Sequence, residues 1–233
     1  MIDDDALVWF AEIARDLASQ PSEQAVLDRV VELAVEVIDG CDDAGILLLH
    51  HKRDVATAAS SSRRVRDSDA EQARLREGPC FDAALNTAPW HNKVYRSEDT
   101  ATEPRWPKYM PRARELGIGS MLGFQLYNTQ ESFGAMDLYG HRRHAFDVTT
   151  ERQGWVLASH AAVALTSART DEQLRTAIAT RQEIGQASGI LMERHGLSGE
   201  AAFTVLKRTS QDNNIKLRTV AEEVVRTGRL PGT

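Results

Sequence analysis

The 233-residue sequence predicts an α+β domain on a mostly antiparallel sheet, followed by a long helix and an all-helical module. Three observations carry that expectation. Apolar runs of strand length alternate with helical patterns as far as Tyr139, and the last two strands read as a hairpin. Residues 148–195 contain no proline. Residues 184–225 show two amphipathic patterns around a polar, net-basic turn, preceded by a helical pattern that contains glycine.

The first two elements are helical. Residues 5–18 form one, broken at Pro21; in the second, Leu27, Val30, Val31, Ala34, Val37 and Ile38 recur three and four apart until Gly40. The period then changes. Residues 44–49 (AGILLL) and 55–59 have strand length, with a polar turn between them. Residues 60–77 are polar and charged, a loop expected to turn helical over 68–76 before Gly78 and Pro79 end it. A short helix over 80–88 and an edge strand over 92–97 follow. Three prolines make residues 101–116 a loop leading into a helix at 111–116. Leu122, Phe124 and Leu126 alternate with polar or small residues, NTQE turns the chain, and residues 133–139 pair back.

The proline-free stretch of 48 residues is expected to run as one helix of about 70 Å, with Asp147 as its N-cap. Trp155, Ala158, Ala162 and Leu165 give its first half an apolar face that closes the α+β domain and offers a surface to a second subunit. Farther along, Leu174, Ala177, Ile184 and Leu191 fit heptad core sites while Arg181 and Ser188 interrupt them. A hinge over 167–171 is the competing arrangement. The domain boundary is placed between residues 168 and 169, giving 1–168 and 169–233.

In the last module Ile184, Ala187, Ile190, Leu191, Phe203, Val205, Leu206, Leu217, Val220, Ala221 and Val224 are the expected core. Gly185 and Gly189 would allow close helix approach, Gly196 would end the first helix and Ser198 begin the second. The core leaves over Lys207, Arg208, Thr209, Ser210, Gln211, Asn213, Asn214, Lys216, Arg218 and Thr219. Between Lys207 and Arg218 there are four cations and one acid. Lys and Arg suit phosphates, while Asn, Gln and Ser can hydrogen-bond the edges of unpaired bases, which fits an RNA loop better than a duplex groove. The bland reading is a solvated helix elbow. Charge is distributed in the same sense: nine Lys/Arg against six Asp/Glu from Leu174 onward, and an excess of nine acids before it.

Composition narrows the class. With 42% apolar and 27% charged residues, the chain can build globular domains. No apolar run approaches 18 residues and the N-terminus is acidic, so neither a membrane span nor a signal peptide is expected and the location is read as cytoplasmic. Cys41 and Cys80 are too few for a disulfide framework. His50 and His51 read as surface residues, and His141 and His144 lack the further ligand that a zinc site needs; no metal or cofactor is expected. Cys80 is open to two readings, a redox-sensitive thiol and a buried structural one.

The C-terminal pattern resembles the ANTAR domain, a bacterial RNA-binding antitermination module, through LKRTSQDNNIKLR, which is similar to that family's LR..SQ..N.KLR. Many members read AKGILM where this chain has Ala187-Ser188-Gly189, so a basic position of the first helix is missing here. The first 168 residues look like a GAF domain, a small-molecule sensor fold, in element order and in LREGPCFDAAL, similar to the EGPC.DAL stretch of GAF modules attached to ANTAR domains. Together these resemble a GAF-ANTAR transcription antitermination regulator of the actinobacterial type.

The resemblance implies an antiparallel sheet with helices on one face and a ligand pocket on the other, then a long helix and a three-helix output module. It also implies binding of a tandem hairpin in a nascent transcript through Lys207, Arg208, Ser210, Gln211, Asn214, Lys216, Arg218 and Thr219, under control of an unknown small molecule; the apolar face of the proline-free helix, with the first helix of the chain, predicts a homodimer. Cys80, Trp90, Trp106, Tyr109, Phe124 and Met136 are the candidates to line the pocket, with core packing as their plain alternative. No catalysis is implied, although some GAF-fold proteins reduce methionine sulfoxide with cysteines. The rival reading is a DNA-binding helix-turn-helix factor with a GAF sensor, using helices over 198–211 and 216–226.

Overall fold

The computed structural model describes residues 4–50, 54–85, 94–128 and 132–231, with side chains from Val8 onward. The chain forms two compact units, Met1–Arg169 and Thr170–Thr233.

The first unit is built on a five-stranded antiparallel sheet in the order β2-β1-β5-β4-β3. Its strands are β1 (Asp43–His50), β2 (Asp54–Ser60), β3 (Val94–Ser97), β4 (Ser120–Tyr127) and β5 (Ser132–Gly140). Side chains alternate across a strand, so each strand feeds two cores. One face presents Ala44, Ile46, Leu48, Leu122, Phe124, Leu126, Met136 and Leu138. It packs on α1 (Asp4–Ala18), α2 (Glu23–Val37) and the first part of α6 (Val148–His195). Gly154 lets α6 lie directly on the sheet, since a Cβ there would stand 2.5 Å from Phe124 Cζ.

The other face is covered as well, by α3 (Arg63–Leu75), α4 (Pro79–Leu85) and α5 (Tyr109–Glu115). This differs from the expected one-sided arrangement. Helix α3 also begins earlier than its apolar pattern indicates, because Ser62 accepts a hydrogen bond from the Val65 amide and starts the helix there. Its buried residues are Val65, Ser68, Asp69 and Gln72 at helical spacing, three of them polar. Apolar periodicity cannot report such a face.

Helix α6 runs from Val148 to His195, 48 residues. Asp147 Oδ1 accepts from the Thr149 and Thr150 amides, each at 2.8 Å, and the Thr150 hydroxyl accepts from the Asp147 amide. This reciprocal pair satisfies donors that a helix start leaves open.

In the second unit, the later part of α6, α7 (Gly199–Asp212) and α8 (Leu217–Thr227) enclose Ala187, Leu191, Ala202, Leu206, Val220, Ala221 and Val224. Gly196, at φ +63°, ends α6, and Ser198 caps α7 by accepting from the Ala201 amide. Arg194 donates to the Gly228 carbonyl at the end of α8. Two expectations are corrected. Phe203 is 43% exposed rather than core, because the buried stripe of α7 passes through Ala202 and Leu206, and Phe203 stands about 100° around the helix from Ala202. Gly185 and Gly189 serve no close helix approach among the described residues: a Cβ at either would meet nothing within 4 Å.

Candidate nucleic-acid interface and sensor core

The α7–α8 elbow turns on Asn214, a non-glycine residue at φ +51°, one of the residue types that tolerates left-handed backbone. Ser210 Oγ donates to the Ile215 carbonyl at 2.6 Å and closes the turn. The eight predicted contact residues therefore fall into two groups. Lys207, Gln211, Asn214, Lys216 and Thr219 have no side-chain hydrogen bond or ion pair among the described residues, and all are exposed. The other three are already engaged. Ser210 holds the turn, Arg208 lies 3.6 Å from Asp212, and Arg218 bridges Glu183 on α6 at 3.0 Å and Glu222 at 2.8 Å. The hydrogen bond to Glu183 comes first among the interactions that raise the Arg218 pKa. A phosphate would have to compete with two carboxylates for Arg218, whereas Lys207 and Lys216 are free. Toward the end of α8 away from the elbow, Gln186, Gly189, Ile190, Glu193, Arg194 and Val225 line an open groove of about 510 Å³ between α6 and α8.

The six predicted pocket residues do not form one site. Cys80, Trp106 and Tyr109 share the core beneath α3, α4 and α5. Phe124 and Met136 point to the opposite face of the sheet, into the apolar core under α2 and α6. Trp90 lies outside the described residues. Trp106 Nε1 donates to Asp82 at 2.8 Å, with Arg105 stacked 4.4 Å above its ring.

The α3 side of the sheet holds a buried polar network that sequence reasoning missed. Tyr139 donates to Asp69 Oδ1 at 2.6 Å and Thr57 to Oδ2 at 2.8 Å. Gln72 Nε2 reaches the Tyr139 hydroxyl, and its Oε1 accepts from the Cys80 amide at 3.1 Å. Ser68 and Tyr109 share a 2.6 Å hydroxyl bond. Burial pushes Asp69 up to about 7, against the Tyr139 and Thr57 hydrogen bonds that stabilise its charge. Burial also raises Asp137, with repulsion from Asp69 adding to it. The Cys80 thiol is raised by burial and then by the two carboxylates, which makes it a poor thiolate and suits a structural role. The Cys41 thiol is pushed up to about 12, chiefly by burial.

Comparison with known proteins agrees with this architecture. The GAF domain model matches residues 20–166, and the ANTAR domain model matches residues 172–225. Among solved structures, the chain is similar to the GAF domain of a phosphoenolpyruvate-protein phosphotransferase from Acinetobacter, at 14% identity and a TM-score of 0.55, over 74% of this chain and 99% of that one. The corresponding domain from Coxiella burnetii is 18% identical with a TM-score of 0.55, over 72% and 96% of the two chains. The free methionine-R-sulfoxide reductase from Neisseria meningitidis is 16% identical with a TM-score of 0.55, over 73% and 96%. At these identities the likeness concerns the fold alone. No curated protein sequence matches the chain significantly.

Proposed function

Because the chain belongs to the GAF domain family and carries an ANTAR domain after it, we propose that it is a ligand-responsive, RNA-binding regulator of transcription antitermination. The observation that carries the reading is the exposed elbow within the ANTAR match, where Lys207 and Lys216 are free beside Gln211 and Asn214. Cations at this elbow neutralise phosphates, and the two amides read edges of unpaired bases in a hairpin loop. Arg208, Ser210, Arg218 and Thr219 complete the proposed contact set. No chemistry is required of the protein: a small molecule that binds two states of the sensor unequally shifts the output. Helix α6, part of both units, is the covalent route for that shift. Among the described residues no helix is long and apolar enough to cross a membrane, and we place the protein in the cytoplasm, with the transcript it would bind.

The working form is a homodimer. Val163, Leu174 and Ile178 of α6 are more than half exposed, as is Val8 of α1, and Gly185 and Gly189 have open space above them. A second copy would cover these surfaces.

The test uses the full chain. Light scattering at tens of micromolar is expected to give a dimer, and gel shifts to give tighter binding to a tandem hairpin RNA than to palindromic duplex DNA. The paired substitution Lys216→Ala with Arg218→Ala is expected to keep the helical circular dichroism and weaken the RNA complex. A monomer removes the dimer. Preference for duplex DNA, lost in the same variant, replaces antitermination with the helix-turn-helix reading.

A further inference from the structure

Asp137 sits at the centre of the sheet, on β5, and is fully buried, and among the described residues neither carboxyl oxygen has an N–H or O–H partner. Its register neighbours are both glycines, Gly45 on β1 and Gly123 on β4. That leaves no side chain beside it on either flank. The gap brings the helices down onto the sheet: a Cβ on Gly45 would stand 2.5 Å from Val65 Cγ1 and 3.7 Å from Asp69 Oδ2, and one on Gly123 would stand 2.9 Å from the Pro79 carbonyl oxygen. Asp69 thus overhangs one side of Asp137 and the Pro79–Cys80 backbone the other. Asp69 has two hydroxyl donors, Tyr139 and Thr57, whereas among the described residues Asp137 has only the weak Cys80 thiol beside it and no N–H or O–H donor. A buried acceptor without a donor is costly, and native structures retain few of them.

We infer that the sensor unit recognises a small organic cation bearing N–H donors, a primary ammonium or a guanidinium, with Asp137 as its counter-ion and Asp69 beside it. The inference rests on the ligand-sensing reading and assigns the ligand's chemical class. N–H donors are what Asp137 lacks, its one neighbour with a proton to offer being the weakly donating Cys80 thiol, and positive charge is what two neighbouring buried carboxyls favour. A hard divalent cation is a poorer occupant, since it takes six or more oxygens, and among the described residues no three His, Cys, Asp or Glu side chains converge to hold a metal. The close packing of α3 and α4 on the sheet requires the group that reaches Asp137 to be small. The titratable groups facing it are Asp69 from α3, Cys80 from α4, Tyr109 from α5 and Tyr139 from β5. Burial, with repulsion from Asp69, disfavours the charged form of Asp137, and a cation seated beside it would favour that form.

The experiment is calorimetry and thermal melting of the full chain with methylammonium, methylguanidinium and tetramethylammonium chloride at matched ionic strength. The expected result is a saturable upward melting shift with methylammonium or methylguanidinium and none with tetramethylammonium, which has no N–H donor. Asp137→Asn should weaken binding at least tenfold, and Asp69→Asn provides a second variant if the first is unstable. Absence of a saturable shift with both donor cations, or affinity that neither variant changes, overturns the inference. A parallel screen of neutral and anionic metabolites separates the two readings: if one of those binds instead, sensing stands and the cationic class falls, while a protein that binds no small molecule loses both.

Discussion

The two faces of the sensor sheet use the same strands and obey opposite rules. Toward α1, α2 and α6, β4 and β5 place Leu122, Phe124, Leu126, Met136 and Leu138, all wholly buried in an apolar core. Toward α3, α4 and α5, β5 places Asp137 and Tyr139, joined by Asp69, Gln72 and Ser68 from α3. The first face maximises apolar burial. The second accepts two buried carboxyls, one of them without an N–H or O–H donor among the described residues, which stability alone does not favour. The contrast separates a face that holds the domain together from one that is available for recognition.

The largest expected effect tests that contrast directly. Phe124→Ala should lower the unfolding free energy of the sensor unit by about 3–5 kcal/mol, through lost burial and a cavity under α6. Asp137→Leu removes a buried carboxyl that among the described residues has no N–H or O–H partner, and by the same measurement should be neutral or stabilising. Urea unfolding followed by tryptophan fluorescence reads this unit alone, because all four tryptophans precede residue 170. Equal losses in the two variants would erase the distinction between the faces.

The pH dependence sharpens it. Asp69, pushed to about 7, and Asp137, also raised, bind protons in the folded state that the unfolded chain has released above about pH 4. The folded state therefore holds its full advantage below that pH and loses it as pH rises toward 7 and beyond, by at most about 1.4 kcal/mol per pH unit per group. Asp69→Asn should flatten the stability profile between pH 4 and 7. A change confined to the apolar face, such as Leu157→Val, should shift the profile down without altering its slope. An unchanged profile in Asp69→Asn would place the titration elsewhere.

What the sequence made legible follows the same division. Apolar period identified α2 through Leu27, Val30, Val31 and Ala34, and alternation identified β4 through Leu122, Phe124 and Leu126, because on those elements burial and hydrophobicity coincide. It missed the start of α3 and the role of Asp69 and Gln72, whose buried positions are polar. Size and aromaticity single out most of the pocket candidates, and the strand's period of two puts Phe124 and Met136 on the other side of the sheet from Cys80. One signal was available: Gly45, Gly123 and Asp137 are conspicuous interruptions of three apolar strands, although only the register shows that they are neighbours. In the output unit, spacing identified the elbow and admits the i,i+4 pair of Arg218 with Glu222, but the second partner of Arg218 is Glu183, 35 residues earlier, a pairing that local pattern does not contain.

Smaller effects belong to the elbow, where the comparison is between engaged and free polar residues. Ser210→Ala removes the bond to Ile215 and should cost about 0.5–1.5 kcal/mol of helical-unit stability, with RNA affinity falling in step. Gln211→Ala touches no internal bond and should stay within about 0.5 kcal/mol of wild type while changing the preference among loop sequences. Thermal melting by circular dichroism, paired with competition between loop variants, distinguishes the two.

The smallest effect is a difference between two cations two residues apart. Lys216 is exposed and unpaired, so if it neutralises one phosphate of a single-stranded loop, Lys216→Ala should reduce the slope of log K against log salt by roughly 0.7. Arg218 is already neutralised by Glu183 and Glu222, and a phosphate gains from it only what those carboxylates give up. Arg218→Ala should therefore reduce the slope by less, even as it frees two acids that repel the RNA and lower affinity at every salt concentration. Filter binding from 50 to 300 mM salt separates the two signatures, because counterion release changes the slope whereas uncovered acids also shift the whole line. Equal slope losses would mean that Arg218 leaves its carboxylates when RNA arrives, making the α6–α8 ion pair part of the binding step rather than a fixed brace.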